Sequence, residues 1–75
     1  MMYYLVPIIG DGISENPYRP KIDDYQCAWA AKTSSKQGFF IVAIKAEPDV
    51  MEQILTDADI QLYTPQPNDI LPMVV

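Results

Sequence analysis

Residues 10–21 bring together the side chains best suited to recognition. Their sequence is GDGISENPYRPK, in which two prolines flank Tyr18 and Arg19. Tyrosine and arginine are enriched at the energetic centres of protein interfaces, because they combine contact area with directional hydrogen bonds. We call residues 10–21 the arm and interpret Tyr18 and Arg19 as interaction candidates. Alternatively, Tyr18 lies over the sheet and Arg19 pairs with Glu15 or Asp23.

Oxygen-bearing side chains in and after the arm raise the possibility of a calcium site. They are Asp11, Glu15, Asn16, Asp23 and Asp24. Their spacing does not follow the alternate positions and terminal glutamate of an EF-hand loop. The Gly-Asp-Gly triplet also lacks the spacings of phosphate-binding loops, and an aspartate there is typical of a simple turn. The sequence therefore predicts no metal and no cofactor.

Catalytic groups are scarce, because the chain has one cysteine and no histidine. Cys27 has no imidazole base to activate it, and its predicted strand turns it inward, where a free cysteine acts as a small hydrophobe. The pairs Asp23–Asp24 and Asp57–Asp59 are explained as solvated acids, since neighbouring strand residues point to opposite faces. We expect no enzymatic activity.

Length and charge restrict the partners. The 75 residues suffice for one domain, and ten acidic against five basic residues give a net charge of −5. The cations are scattered, which disfavours binding to nucleic acid or to an anionic membrane. The start, MMYYLVPII, lacks the basic region and cleavage site of a signal peptide, and no apolar run approaches the roughly 20 residues of a membrane span. We expect a cytoplasmic protein, in keeping with the lone thiol.

Apolar periodicity predicts an α+β domain with a sheet of about four strands in the order β-β-β-α-β and one helix on one face. The predicted strands cover residues 3–9, 25–32, 39–46 and 60–64. Pro48 between Glu47 and Asp49 predicts a helix from residue 48 to residue 56 or 57, because proline suits the first helical position and acids suit the first turn. Pro7 predicts that the first strand is an edge strand or carries a bulge.

The two faces of this sheet need different covers. Residues 39–46 are apolar on both faces, which indicates a central strand. The face without the helix, carrying Phe40 or Trp29 according to register, must be covered by the arm, the tail or another subunit. The tail is residues 65–75, PQPNDILPMVV, which follow a domain of residues 1–64. Its apolar end should pack on its own domain or on a neighbour.

The aromatic first strand, the Gly-Asp-Gly turn and the Asn-Pro-Tyr-Arg-Pro segment resemble short uncharacterised microbial and phage-associated proteins. The resemblance spans about the first third of the chain and is carried by Tyr3, Gly10, Gly12, Pro17, Tyr18, Arg19 and Pro20. It implies a phage or mobile-element origin and carries no activity.

A homo-oligomeric structural or interaction module, as a dimer, is the predicted function. A core of this size supplies only about 3–5 kcal/mol, and one cysteine excludes an intrachain disulfide, so a second subunit is the open source of stability. The residues predicted to be buried between subunits, besides Tyr18 and Arg19, are Ile70, Leu71, Met73 and Val74. The alternative is a small-ligand or metal-binding accessory domain whose site lies at Asp11, Tyr18 and Arg19.

Overall fold

One helix and five strands form in the part of the chain that the structure, a computed structural model, describes, namely residues 2–22, 25–57 and 59–75. The strands are β1 (Tyr3–Ile9), β2 (Arg19–Pro20), β3 (Ala28–Thr33), β4 (Phe39–Lys45) and β5 (Gln61–Tyr63), and the helix α1 spans Pro48–Asp57. The predicted α+β class is confirmed. The two-residue β2 was not predicted, and it makes the order along the chain β-β-β-β-α-β.

β1 lies inside the sheet. It pairs with β4 along one edge, and along the other edge it pairs first with β5 and then with β2. β3 pairs with the far edge of β4, and all these pairs are antiparallel. Since β4 and β5 are both antiparallel to β1, they run parallel to each other, and α1 connects them past β1.

Pro7 does not mark an edge strand, so that part of the prediction is wrong. The Ile8 N–H donates to the Gly38 carbonyl on the β4 side, at 3.0 Å, so Pro7 faces the opposite edge. There the Lys21 N–H donates to the Pro7 carbonyl, at 3.0 Å, between the end of β5 pairing at Leu5 and the start of β2 pairing. Proline is tolerated because this junction uses only its carbonyl.

The second predicted strand starts late, at Ala28 instead of residue 25. Turn hydrogen bonds hold the preceding backbone: the Tyr25 N–H donates to the Ile22 carbonyl, and the Cys27 N–H donates to the Tyr25 carbonyl. The predicted alternation nevertheless holds, because Tyr25, Cys27, Trp29 and Ala31 all pack against the main core.

That core lies on the side of the sheet that carries α1, which we call the helix face. Ile54 of α1 is fully buried and belongs to it. The cluster consists of Tyr4, Val6, Ile22, Val42, Ile44, Ile54 and Ile60. Phe40 and Trp29 pack against the same cluster. The prediction that one of them lies on the face away from the helix is therefore wrong.

The opposite face, which we call the tail face, is buried as well. Strand alternation places Leu5, Ile41 and Ala43 there, and their exposed fractions are 6%, 0% and 0%. β4 pairs with β1 along one edge and with β3 along the other, so its predicted central position is confirmed.

The tail is anchored at this second face. Tyr63 shares the face with Tyr3, and its hydroxyl donates to the Asp69 carboxylate at the start of the tail. At the other end of the tail, Val75 lines a groove that Ala28 and Lys45 also line. Pro72 between these points is fully buried. The tail is therefore anchored to its own domain by the Tyr63–Asp69 contact and by the burial of Pro72.

α1 begins as its sequence predicts. The Met51 N–H donates to the Glu47 carbonyl at 2.9 Å, and Pro48 takes the first helical position, where its missing N–H costs no helical hydrogen bond. Asp49 lies in the first turn, near the positive end of the helix dipole. No helix in the described residues is long and apolar enough to cross a membrane.

Candidate functional site

The arm folds back on itself through its backbone. The N–H groups of Asp11 and Gly12 both donate to the Asn16 carbonyl, at 2.9 and 3.1 Å, and the Asn16 N–H donates to the Ile13 carbonyl at 3.1 Å. Gly10 adopts a φ of 108°, a backbone conformation that side chains with a Cβ rarely adopt. The arm is therefore a closed turn with a fixed direction.

Asn16 joins the two ends of this turn through its side chain. Its Nδ2 donates to Asp11 Oδ2 at 3.1 Å, and its Oδ1 accepts from Arg19 Nη1 at 2.7 Å. Arg19 Nη1 also lies 3.2 Å from the Pro17 carbonyl. Arg19 thus helps to hold the arm together, through two partners, Asn16 and Pro17, that were not among those predicted. Its predicted pairing with Asp23 lies outside the described residues.

Tyr18 is exposed and held in place. Its exposed fraction is 63%, and its ring lies directly against Gly12, where an added Cβ would overlap it. Contact with a glycine backbone limits the freedom of the ring without burying it. Of the two candidate residues in the arm, Tyr18 is exposed and Arg19 is half-buried.

A groove of about 470 Å³ opens beside Tyr18 at one end of the helix face. Its walls are mainly apolar and carry no charged side chain. They are formed by Ile8, Gly10, Tyr18, Thr33, Gln37, Gly38 and Phe40. Asp11 and Arg19, the other two residues of the predicted ligand site, do not line it. The groove suits an uncharged small molecule with an apolar body.

A second groove, of about 560 Å³, contains Cys27. Lys45, Glu47 and Val75 also line it. Cys27 is half-buried, and this burial raises the pKa of its thiol. A raised pKa disfavours the thiolate at neutral pH, so the setting is that of a packed cysteine and lacks the activation that a nucleophile needs.

The tail begins with a hydrogen-bonded corner at Asp69. Its carboxylate accepts from the Tyr63 hydroxyl and from the Gln66 N–H, both at 2.6 Å, while the Asp69 N–H donates back to the Gln66 carbonyl at 3.0 Å. The hydrogen bond from Tyr63, then that from Gln66, lowers the pKa of Asp69. The same bond, together with desolvation and the nearby carboxylate charge, raises the pKa of Tyr63.

Beyond this corner the tail shows one buried side chain among exposed apolar ones. Pro72 is fully buried, while Ile70, Met73 and Val75 are exposed to 69%, 76% and 116%. Leu71 is exposed to 36%. Of the predicted tail candidates, Val74 alone is half-buried in this arrangement. We call Ile70, Leu71, Met73 and Val75 the tail surface.

No group of three or more histidine, cysteine, aspartate or glutamate side chains within residues 2–22, 25–57 and 59–75 is placed to hold a metal ion. Asp11 is engaged by Asn16. Asp23 and Asp24, which the calcium interpretation requires, lie outside the described residues.

No protein-family model matches the chain, and neither a curated protein nor a solved structure shows significant similarity to it. The resemblance to short microbial and phage-associated proteins therefore stays a prediction that rests on the residues of the arm.

Sequence reasoning missed Asn16 and the Tyr63–Asp69 contact. A signal for Asn16 was present, since an asparagine before a proline commonly starts a turn. The second contact joins Tyr63, a strand residue on the tail face, to the Asp69 carboxylate in the tail, and only the path of the tail brings the two side chains together.

Proposed function

We propose that this protein is a non-catalytic interaction module that self-associates through its tail surface. The observation that carries the proposal is the concentration of exposed apolar side chains, Ile70, Leu71, Met73 and Val75, within residues 70–75 of a tail that is itself anchored. A large exposed apolar patch on a small protein is typical of an interaction site.

The anchoring favours binding because it lowers the entropic cost. The Asp69 corner and the buried Pro72 hold the tail on the sheet, so a partner meets a surface that is already ordered. A free apolar tail would lose much more conformational freedom on binding.

A second copy of the chain is the occupant that the surface suits best. Residues 70–75, ILPMVV, contain no charge, so two copies of this surface can meet about a two-fold axis without placing like charges together. Homodimer interfaces are the more apolar class, which matches this composition. The small core adds a reason for association, since burial between subunits supplements it.

The remaining parts of the proposal rest on the sequence. A phage or mobile-element origin is supported by the Asn-Pro-Tyr-Arg-Pro segment, residues 16–20. A cytoplasmic location is supported by the lone cysteine. The absence of histidine and the raised pKa of Cys27 support a role without catalysis.

The test is a double substitution, Ile70→Ser with Met73→Ser, which leaves Asp69 and Pro72 intact. We expect the wild-type protein to be larger than a monomer by multi-angle light scattering at micromolar concentration, and its mass to fall in the double variant. The matched control is Leu55→Ser with Leu62→Ser, which removes two exposed apolar side chains elsewhere. A monomeric wild type, or an unchanged mass in the tail variant, would contradict the proposal.

A small-ligand site in the groove beside Tyr18 is the second candidate function. It is favoured by the mainly apolar, uncharged walls and by a volume within the range of natural ligand sites. A thermal-shift screen of uncharged metabolites tests it, since a ligand specific to the folded state raises Tm. A genuine hit should be lost in Tyr18→Ala and retained in Ile13→Ala, which removes another exposed arm residue.

A further inference from the structure

The outer edge of β3 has the properties of a second self-association surface. β3 is a six-residue strand at the end of the strand order, and no strand in the described part of the chain pairs with its outer edge. An unpaired edge presents a row of backbone donors and acceptors to any strand that can approach it. β3 contains no proline and no bulge that would blunt this edge.

The hydrogen-bond pattern identifies which residues face outward. The Ile8 N–H points toward β4, so by alternation Val6 and Phe40 bond each other across β1 and β4. The intervening β4 residues therefore face β3, where their partners are Ala28, Ala30 and Lys32. The backbone groups that point away from the sheet are those of Trp29, Ala31 and Thr33.

We propose that β3 pairs antiparallel with β3 of a second copy, about a two-fold axis at Ala31. In this register all three outward residues of each β3 have a partner in β3 of the other copy. Ala31 lies opposite its own copy, and Trp29 lies opposite Thr33 of the other chain. An aromatic side chain opposite a β-branched one is a favourable cross-strand pair, and the symmetry forms it twice.

Side-chain charge and size agree with this register. The strand carries one charged residue, Lys32, which comes opposite Ala30 of the second copy, so no like charges lie directly opposite each other. The two Lys32 residues are diagonal neighbours about 7–8 Å apart, and their long side chains can turn away from each other into solvent. Ala28 and Ala30 leave room on the tail face beside the seam. A second copy of β3 therefore offers favourable side-chain pairs along the whole edge, whereas an arbitrary extended peptide would offer only its backbone.

This contact is distinct from the tail surface and does not depend on it. Edge pairing extends the sheet sideways through β3, whereas the tail surface consists of exposed side chains of residues 70–75. The two contacts can coexist in one assembly, with edge-paired dimers joined through their tails.

The first test is a disulfide crosslink. Opposed residues in a hydrogen-bonded antiparallel pair have Cα atoms about 5.5 Å apart, which suits a disulfide. In a Cys27→Ala background, Ala31→Cys should form a covalent dimer under mild oxidation, seen as a doubled mass without reductant. Ala28→Cys is the matched control, because in this register it lies far from its own copy. Equal crosslinking of the two variants would overturn the proposal.

The second test uses the unmodified chain. Hydrogen exchange of the Trp29, Ala31 and Thr33 amides should slow as the protein concentration rises, whereas the Ala30 and Lys32 amides, bonded to β4, should be protected throughout. Exchange of Ala31 that is independent of concentration would overturn the proposal. Repeating both tests with Ile70→Ser and Met73→Ser separates the two surfaces, since edge pairing should persist even where tail contact is lost.

Discussion

At the scale of single residues, Gly10 and Gly38 have the same backbone requirement but different surroundings. Their φ angles are 108° and 87°, and both follow or precede a strand of the central sheet. A Cβ at Gly10 would collide with the Pro17 carbonyl, whereas a Cβ at Gly38 would meet nothing within 4 Å. The pair therefore separates backbone strain from steric overlap.

We expect Gly38→Ala to cost about 1–2 kcal/mol, the usual penalty of a left-handed conformation for a residue with a Cβ. Gly10→Ala should cost more, at least about 2 kcal/mol, because the arm must also move away from the added methyl group. Urea unfolding of the two variants measures both values. Equal losses of stability would show that the Pro17 carbonyl does not pack against Gly10.

Three prolines, at positions 7, 20 and 48, show how the missing N–H of this residue type is accommodated by its position. Pro7 uses its carbonyl at a gap in the ladder, and Pro48 opens α1. Pro20 stands opposite Ile8, whose N–H is directed to the other edge, so no ladder bond is lost there. In each case the missing N–H falls where the fold has no use for a donor.

At the scale of elements, the attachment of the tail depends on pH, because it uses a hydrogen bond between two titratable side chains. The corner at Asp69 joins it to β5 through Tyr63. Because the folded pKa of Asp69 is lowered, its stabilising effect is complete above the ordinary aspartate pKa and is lost as pH falls through the lower folded value. Because the pKa of Tyr63 is raised, its effect is complete below the ordinary tyrosine pKa and is lost as pH rises through the higher folded value.

The tail corner should therefore hold from about pH 4 to about pH 10. We expect Tyr63→Phe to move the pKa of Asp69 upward, toward its ordinary value, because the strongest hydrogen bond to the carboxylate is removed. The amide shift of Gln66, whose N–H binds this carboxylate, reports the titration by NMR. Asp57→Asn is the control and should leave the Gln66 curve in place. An unchanged curve in Tyr63→Phe would contradict the assignment.

At the scale of the whole molecule, net charge opposes the self-association that we propose. Each chain carries a net charge of −5, so two copies repel each other at low salt. The screening length falls from about 30 Å at 0.01 M to about 8 Å at 0.15 M ionic strength. We expect the dissociation constant of the assembly to fall as salt is added across this range.

Sedimentation equilibrium at the two salt concentrations measures this effect. The double variant Asp49→Asn with Glu52→Gln changes two exposed acids and takes the net charge from −5 to −3, so its association should depend less on salt. Association that weakens as salt is added would show that ion pairs, and not apolar contact, hold the subunits together.

Local signals in the sequence were sufficient to predict most of the helix and strand positions. The bounds of β1 and α1 and the inward residues of β3 were predictable, because strand alternation and helix capping are properties of neighbouring residues. For Tyr18 the sequence left open whether the ring lies over the sheet or meets a partner, and the structure shows that the ring is 63% exposed beside Gly12. The partner of Arg19 could not be predicted, because Asn16 is brought to it by the closure of the turn.

Only the tertiary structure decided what lies where on the sheet. The interior position of β1, the short β2 and the path of the tail depend on which distant segments meet, and no periodicity within one segment encodes that choice. The sequence alone determined that the chain ends in an apolar, proline-broken tail needing a cover. The structure decided that this tail is anchored to its own domain, because the buried Pro72 and the Asp69 corner hold it there while Ile70, Leu71, Met73 and Val75 stay exposed.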